Sequence, residues 1–314
     1  MLSLVDNQKP LLDVRDSIQS MVRRIYNSNG GSPVMGAPHS RDYEVLFMQF
    51  KQYLKLKENI PSHMYIGLGI FSFAVLFAIW CILTYGGFVP PLFLPSPSDI
   101  LIQFYRMLTE LNLMGDILAS LYRVMAGFLL ASIIGVPLGL LMGSFKLAEG
   151  LVEPIVGFVR YMPASAFIPL LILWIGIGDL QKIAVIFIGT FFQQVLMVRD
   201  VAKNVSHELI NTSYTLGADQ KAAFLKVVLP AALPGIMDTL RITLGWAWTY
   251  LVVAELVAAS SGLGYMIMEA QRFLRTSGII VGILVIGLLG LLSDTLFKTA
   301  YQRMFPWLEG RSES

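Results

Sequence analysis

From residue 64 onward the chain alternates long apolar runs with short polar breaks, whereas residues 1–63 are polar and basic. A helix rises about 1.5 Å per residue, so crossing roughly 30 Å of hydrocarbon takes about 20 apolar residues. Six stretches meet that requirement: 64–85, 117–142, 155–175, 183–198, 236–259 and 279–300. The third is interrupted by Arg160, Pro163 and Pro169, and the fourth is short. The pattern predicts an all-α membrane protein of six transmembrane helices over residues 64–300. An N-terminal extension (1–60) precedes them and a tail (301–314) follows.

Charge orients the spans, because Lys and Arg accumulate on the cytoplasmic side. Six crossings bring both termini to one side. Placing that side in the cytoplasm puts sixteen Lys and Arg there, among them Lys146, Arg199, Lys203, Lys221, Lys226 and Lys298. Outside remain Arg106, Arg272 and Arg275, with Lys182 at an edge. Both termini are therefore expected in the cytoplasm of a bacterial inner membrane. The first apolar run starts too late for a cleaved leader, so the first span is expected to be retained. Two outer segments follow from this topology, 86–115 and 260–278, with an inner loop at 199–235. The first outer segment, FVPPLFLPSPSDI and the residues after it, predicts an amphipathic helix capped by Ser96 or Ser98.

Ahead of the spans, residues 26–40 read as a Gly-, Pro- and Ser-rich linker. Residues 43–57 place Leu46, Phe47, Phe50, Tyr53 and Leu54 on one helical face and Lys51, Lys55 and Lys57 elsewhere. That predicts a helix in the membrane interface, either an elbow before the first span or plain juxtamembrane helix.

Only 14% of the residues are charged, against roughly a quarter in soluble domains. Ionisable groups inside the spans therefore carry information, since each is costly in hydrocarbon. They are Arg123, Arg160, Asp238, Arg241, Glu255 and Asp294. Arg160, Asp238 and Arg241 are expected near cytoplasmic ends, where they can snorkel. Glu255 shares the fifth span with Trp246 and Trp248. These three, with Arg123, are the candidate translocation-path residues; the favoured alternative is that Glu255 forms a structural bridge with Arg123 or Arg272. The second span carries a small residue at every fourth position: Gly127, Ala131, Gly135, Gly139 and Gly143. This stripe permits close helix approach, within the chain or at a subunit interface, and intrachain packing is the favoured reading. Pro137 is expected to kink that span.

Enzymatic chemistry finds no support. Cys81 is the single cysteine, and His39, His63 and His207 stand apart from one another without ligand spacing. No H-E-x-x-H and no G-x-x-x-x-G-K-[ST] occurs, so neither a metal site, nor a bound cofactor, nor ATP hydrolysis by this chain is expected. Nothing suggests nucleic-acid binding.

The inner loop reads NTSYTLGADQKAAFLKVVLPAALPGIMDTLRI. It predicts one short helix over 207–216, a turn at Gly217 that exploits glycine's access to positive φ, and a second short helix over 219–228. Pro230 and Pro234 are expected to end the second helix before span five. The loop resembles the cytoplasmic coupling loop of ABC importer permeases. In that family Glu-Ala-Ala is followed after three residues by Gly and, nine residues on, by an aliphatic, any residue, Leu and Pro. Gly217, Val227, Leu229 and Pro230 match, with Ala218 following the glycine; Asn211, Thr212 and Ser213 replace the opening triplet. Glu208, about one turn earlier, is the candidate substitute for the missing acid.

The resemblance covers residues 90–300 and is strongest to the branch serving nitrate, bicarbonate, taurine and aliphatic sulfonates, through LPSPSDI, RYMPASAFIPLLILWIGIGDLQK and AELVAASSGLGYMI. It implies the type I importer transmembrane fold and a coupling loop over 205–230. It also implies a second permease copy in a homodimer, two ATP-binding subunits, and a periplasmic or lipid-anchored solute-binding protein. The alternative is a self-contained secondary transporter, which leaves the loop unexplained.

Overall fold

The computed structural model describes residues 61–257 and 259–309. The linker and the interfacial helix expected before residue 60 lie outside the described residues. Contacts divide the chain into Met1–Leu76 and Phe77–Ser314. The first long helix, α1 (Ser62–Tyr85), runs through that division and buries none of its residues, as a helix bathed in lipid can. Long apolar side chains that would be anomalous in water, such as Phe73 at 78% exposure and Leu288 at 64%, are ordinary on a surface facing acyl chains.

The remaining elements are α2 (Pro97–Thr109), α3 (Leu113–Ser144), α4 (Lys146–Val159) and α5 (Ile168–Ile175), then α6 (Asp179–Lys203), α7 (His207–Thr215) and α8 (Gln220–Ala223). After these come α9 (Leu229–Leu256), α10 (Leu263–Arg272), α11 (Thr276–Met304) and the short α12 (Pro306–Glu309). Among the described residues five helices are long and apolar enough to cross a membrane, or six if one bent pair is counted as a single span.

That bent pair corrects the third predicted span. Instead of one helix over 155–175, α4 ends at Val159 and the chain re-enters through a 3₁₀ turn (Ala164–Phe167) into α5, at an angle of 83°. Pro163 permits the break: it has no N–H to donate, and its own backbone is extended (φ −64°, ψ 125°). A proline also disfavours helical backbone in the residue before it. Pro169 does no such damage, because it sits in the first turn of α5, where no intrahelical donor is needed.

The glycine stripe of α3 is an intrachain seam against α6. A Cβ at Gly127 would lie 2.8 Å from Ile186, one at Gly139 would lie 2.6 Å from the Val195 carbonyl oxygen, and one at Gly143 would lie 2.6 Å from Ala202. Pro137 is accommodated within α3, which remains a single helix. Helix α9 packs on both α3 and α6 through Leu244, Ala247, Trp248 and Leu251, which join Val124, Phe128 and Ile186 in one buried cluster. Helices α3, α6 and α9 are thus the packed centre.

Helices α2, α10 and α11 form a second cluster through Ile100, Met107, Met266, Val281 and Val285. Ser96, rather than Ser98, caps α2. Its side chain accepts from the Asp99 N–H while Asp99 reaches back to the Ser96 N–H at 3.1 Å, a reciprocal capping box.

Candidate functional site

The inner loop is a hairpin of two helical arms. Ser206 caps α7 by accepting from the Glu208 N–H. At the other end the Ala218 N–H reaches the Ser213 carbonyl and the Gly217 N–H reaches the Tyr214 carbonyl, both at 2.9 Å. This is the Schellman arrangement, and it needs a left-handed residue just past the helix. Gly217 supplies it at φ +86°. Asp219 then caps the second arm by accepting from the Ala222 N–H at 2.8 Å. Both arms therefore begin and end on satisfied backbone groups, and the turn between them is fixed.

The second arm differs from expectation in one respect. Pro230 and Pro234 do not end it; the helix runs unbroken from Gln220 to Leu256, 37 residues, or about 55 Å. A π-turn over Phe224–Val228 makes this possible, with the Leu229 N–H donating to the Phe224 carbonyl five residues back. The wider turn leaves Pro230 in the first turn of α9, where its missing N–H costs little. Phe224 and Leu229 pack on the core formed by Leu140, Val198, Ala202, Ala232 and Ile236. The second arm is thereby a rigid extension of α9.

Among the predicted loop residues, Glu208, Asn211, Thr212 and Pro230 are exposed, Ala218, Val227 and Leu229 are half-buried, and Ser213 is packed inward. Leu216, beside the turn, is 83% exposed, and Leu209, Tyr214 and Leu225 are exposed around it. This apolar tip went unread in the sequence, because its residues look like the buried half of an amphipathic pattern.

At the opposite end of the bundle, Arg123 and Glu255 pair. Arg123 is 3% exposed and Glu255 1%. One guanidinium nitrogen donates to Glu255 at 2.6 Å and to the Ser261 carbonyl at 2.7 Å; the others reach the Ser261 hydroxyl at 2.8 Å and Asp179 at 2.7 Å. Glu255 also accepts from the Ser120 hydroxyl at 2.9 Å and from the Gly264 N–H at 2.8 Å. Asp116 accepts from the Gly262 N–H at 2.7 Å. Gly262 is left-handed (φ +108°), and a side chain there would strike Arg123 and Glu255. This network ties α3, α6, α9 and the loop before α10 together. Glu255 is partnered by Arg123 and not by Arg272, which lies exposed.

The two tryptophans do not form one lining. Trp248 is buried in the central cluster, while Trp246, two residues away, is 38% exposed on another face. Arg241 pairs with Asp294 of α11, which also receives Lys298 at 3.1 Å.

Between the two ends, a cavity of about 300 Å³ opens at the break between α4 and α5. Arg160, Tyr161, Ser165, Gln193, Thr249 and Tyr250 supply its polar lining. Arg160 was expected near a cytoplasmic end; it follows the last residue of α4, is exposed, and borders this cavity at the break. The sequence reading missed the break because Pro163 within an apolar run is compatible with a kinked continuous helix.

Comparison with known proteins explains why these features coexist. Residues 135–306 match the family model described as the binding-protein-dependent transport system inner membrane component. A Brucella abortus protein named "Probable ABC transporter permease protein" is 41% identical over 78% of this chain and 96% of its own length.

The chain belongs to this permease family.

The permease is also 33% identical to the taurine transport system permease protein of Escherichia coli, over 81% of this chain and 94% of that one. Its fold is that of solved ABC importer membrane domains: the methionine transporter MetNI superposes with a TM-score of 0.51 at 22% identity, covering 60% of this chain and 95% of that one. As a member of a binding-protein-dependent system, the permease is a transport subunit that works with a solute-binding protein and with a separate ATPase. Family membership excludes the alternative of a self-contained secondary transporter.

Proposed function

We propose that the permease forms, as a homodimer, the path of an ATP-driven importer for a small anion of the sulfonate, nitrate or bicarbonate class. In this reading both termini and the 207–228 hairpin face the cytoplasm, and the outer segments receive the loaded binding protein. The observation that carries the coupling role is the unbroken helix from Gln220 to Leu256. An ATPase that grips the hairpin at Leu209, Tyr214, Leu216 and Leu225 moves α9 directly, because the two are one rigid body.

Closure of the ATPases on ATP then rocks α9, and with it α6 and α3, while the Arg123–Glu255 network keeps their outer ends together. Hydrolysis releases the grip and the bundle relaxes. Support for the cargo comes from the relative named for taurine and from the sequence branch. Affinity resides in the binding protein, so the path itself binds weakly.

The test is to express the permease with its cognate ATPase and binding protein and to measure uptake of taurine, ethanesulfonate, nitrate and bicarbonate, with Gly217→Val in parallel. Uptake of at least one of these by wild type, and its loss together with co-purified ATPase in the variant, is the expected result. A solute without any anionic group carried in their place would overturn the cargo reading. Normal coupled uptake by Gly217→Val would overturn the coupling assignment.

A further inference from the structure

Three arginines of the long helices are each neutralised: Arg123 by Glu255 and Asp179, Arg199, near the end of α6, by Glu153 and Asp200, and Arg241 by Asp294. Arg160 is not. Among the described residues no carboxylate comes within 4.0 Å of it. Its guanidinium instead donates to the Tyr161 hydroxyl at 2.7 Å and sits 4.6 Å from that ring's centre. Arg160 is exposed, and a cation in an otherwise apolar stretch of a membrane protein is tolerated where protein or water surrounds it. The cavity at the α4–α5 break supplies that setting, and its other polar groups are hydroxyls and one amide rather than acids. Gly189 opens the α6 wall: a Cβ there would come within 2.6 Å of the Tyr250 ring, in the volume the cavity shares.

Polar groups continue outward along α6 from this point. Lys182 lies two turns from Gly189 on the same face, 2% exposed, and donates to the Gly178 carbonyl at 3.0 Å. It too has no carboxylate within 4.0 Å among the described residues. Beside it Gln181 is fully buried with both amide atoms unpartnered. Between these residues and the cavity, α5 packs on Val185 through Ile168 and Leu171.

We propose that the break between α4 and α5 is an anion site within the membrane, in which Arg160 holds the charge of a sulfonate or similar oxyanion while the neighbouring hydroxyls and the Gln193 amide meet its oxygens. The ligand class rests on the reading of the cargo as a small anion; the positive character of the cavity does not. The site is a weak station: one planar guanidinium, open on one side, with donors that accept any small oxyanion. It discriminates by sign of charge and leaves chemical identity to the binding protein. Thr249 and Tyr250 belong to α9, which the coupling movement displaces, whereas Tyr161 and Ser165 belong to the break, so the station is made and unmade during each cycle.

The experiment reads the charge of the cavity without relying on transport. Ser165 lines it and is exposed, so Ser165→Cys in a Cys81→Ser background places one thiol there. The full chain in membrane vesicles of both orientations is treated with 2-sulfonatoethyl methanethiosulfonate, an anion, or with its trimethylammonioethyl counterpart, a cation. Rates are normalised to those with free 2-mercaptoethanol. The expected result is about a tenfold preference for the anionic reagent, the scale set by one uncompensated charge at close range. The preference should fall to about one in Arg160→Gln and persist in Arg160→Lys, and ethanesulfonate should slow the labelling in the wild-type background.

A normalised ratio near one with Arg160 present would overturn the proposal, because a lipid phosphate or a carboxylate of a second copy would then already cancel the charge. A ratio unaffected by Arg160→Gln would overturn it equally. If instead the ratio behaves as expected but uptake assays show a cargo without any anionic group, the site stands and the cargo reading fails.

Discussion

Arg123 and Glu255, 132 positions apart in sequence, meet at 2.6 Å with both side chains almost wholly buried. Helix α6 begins and α9 ends beside this pair, and α3 passes it. Removing one partner of a buried ion pair strands the other, at a cost of about 3–5 kcal/mol. Glu255→Ala and Arg123→Ala should therefore each lower the melting temperature of the detergent-purified permease markedly, and Glu255→Gln, which keeps the shape, should lower it less. Melting curves that superimpose on wild type for both alanine variants would show that the network does not hold α3, α6 and α9 together.

Gly217 has open space around its missing side chain, so a substitution there meets no clash. The cost is backbone strain at φ +86°, about 1–2 kcal/mol for a β-branched residue. Gly217→Val should thus leave membrane insertion and thermal stability of the bundle nearly unchanged while ATPase recruitment falls. Recovery of the ATPase at wild-type yield would refute the fixed-turn argument.

The seam between α3 and α6 makes a complementary prediction. A side chain at Gly139 would press on the Val195 carbonyl oxygen at 2.6 Å, and overpacking of this kind costs about 1–3 kcal/mol. Gly139→Leu should reduce folded yield, and Gly287→Leu on α11, where nothing lies within 4 Å, should not. Equal yields from the two variants would mean that the seam relaxes freely.

Orientation is open to a direct measurement. In a Cys81→Ser background, Thr109→Cys at the end of α2 should label with an impermeant maleimide in intact spheroplasts. Ser206→Cys before α7 should label only after the membrane is broken. The reverse pattern would invert the proposed topology.

The number of apolar runs and the asymmetry of Lys and Arg were enough to read an all-helical membrane protein, because bilayer thickness sets helix length irrespective of partners. The hairpin at 207–228 was equally legible, since a left-handed glycine and an aspartate cap act over a few residues of backbone. The small-residue stripe of α3 announced a close helix contact, but only the packing identified α6 as its partner. What tertiary structure alone decided were the features that join distant segments or redirect the chain. Pro163 permits either a kink or an 83° break, and the surroundings chose the break. Pro230 reads as a stop signal, yet a π-turn carries the helix past it. Arg160 and Arg123 are the same residue type in similar apolar runs; one is closed in a network and the other faces a cavity. That difference comes from which acids the fold brings within reach, and spacing along the chain does not encode it.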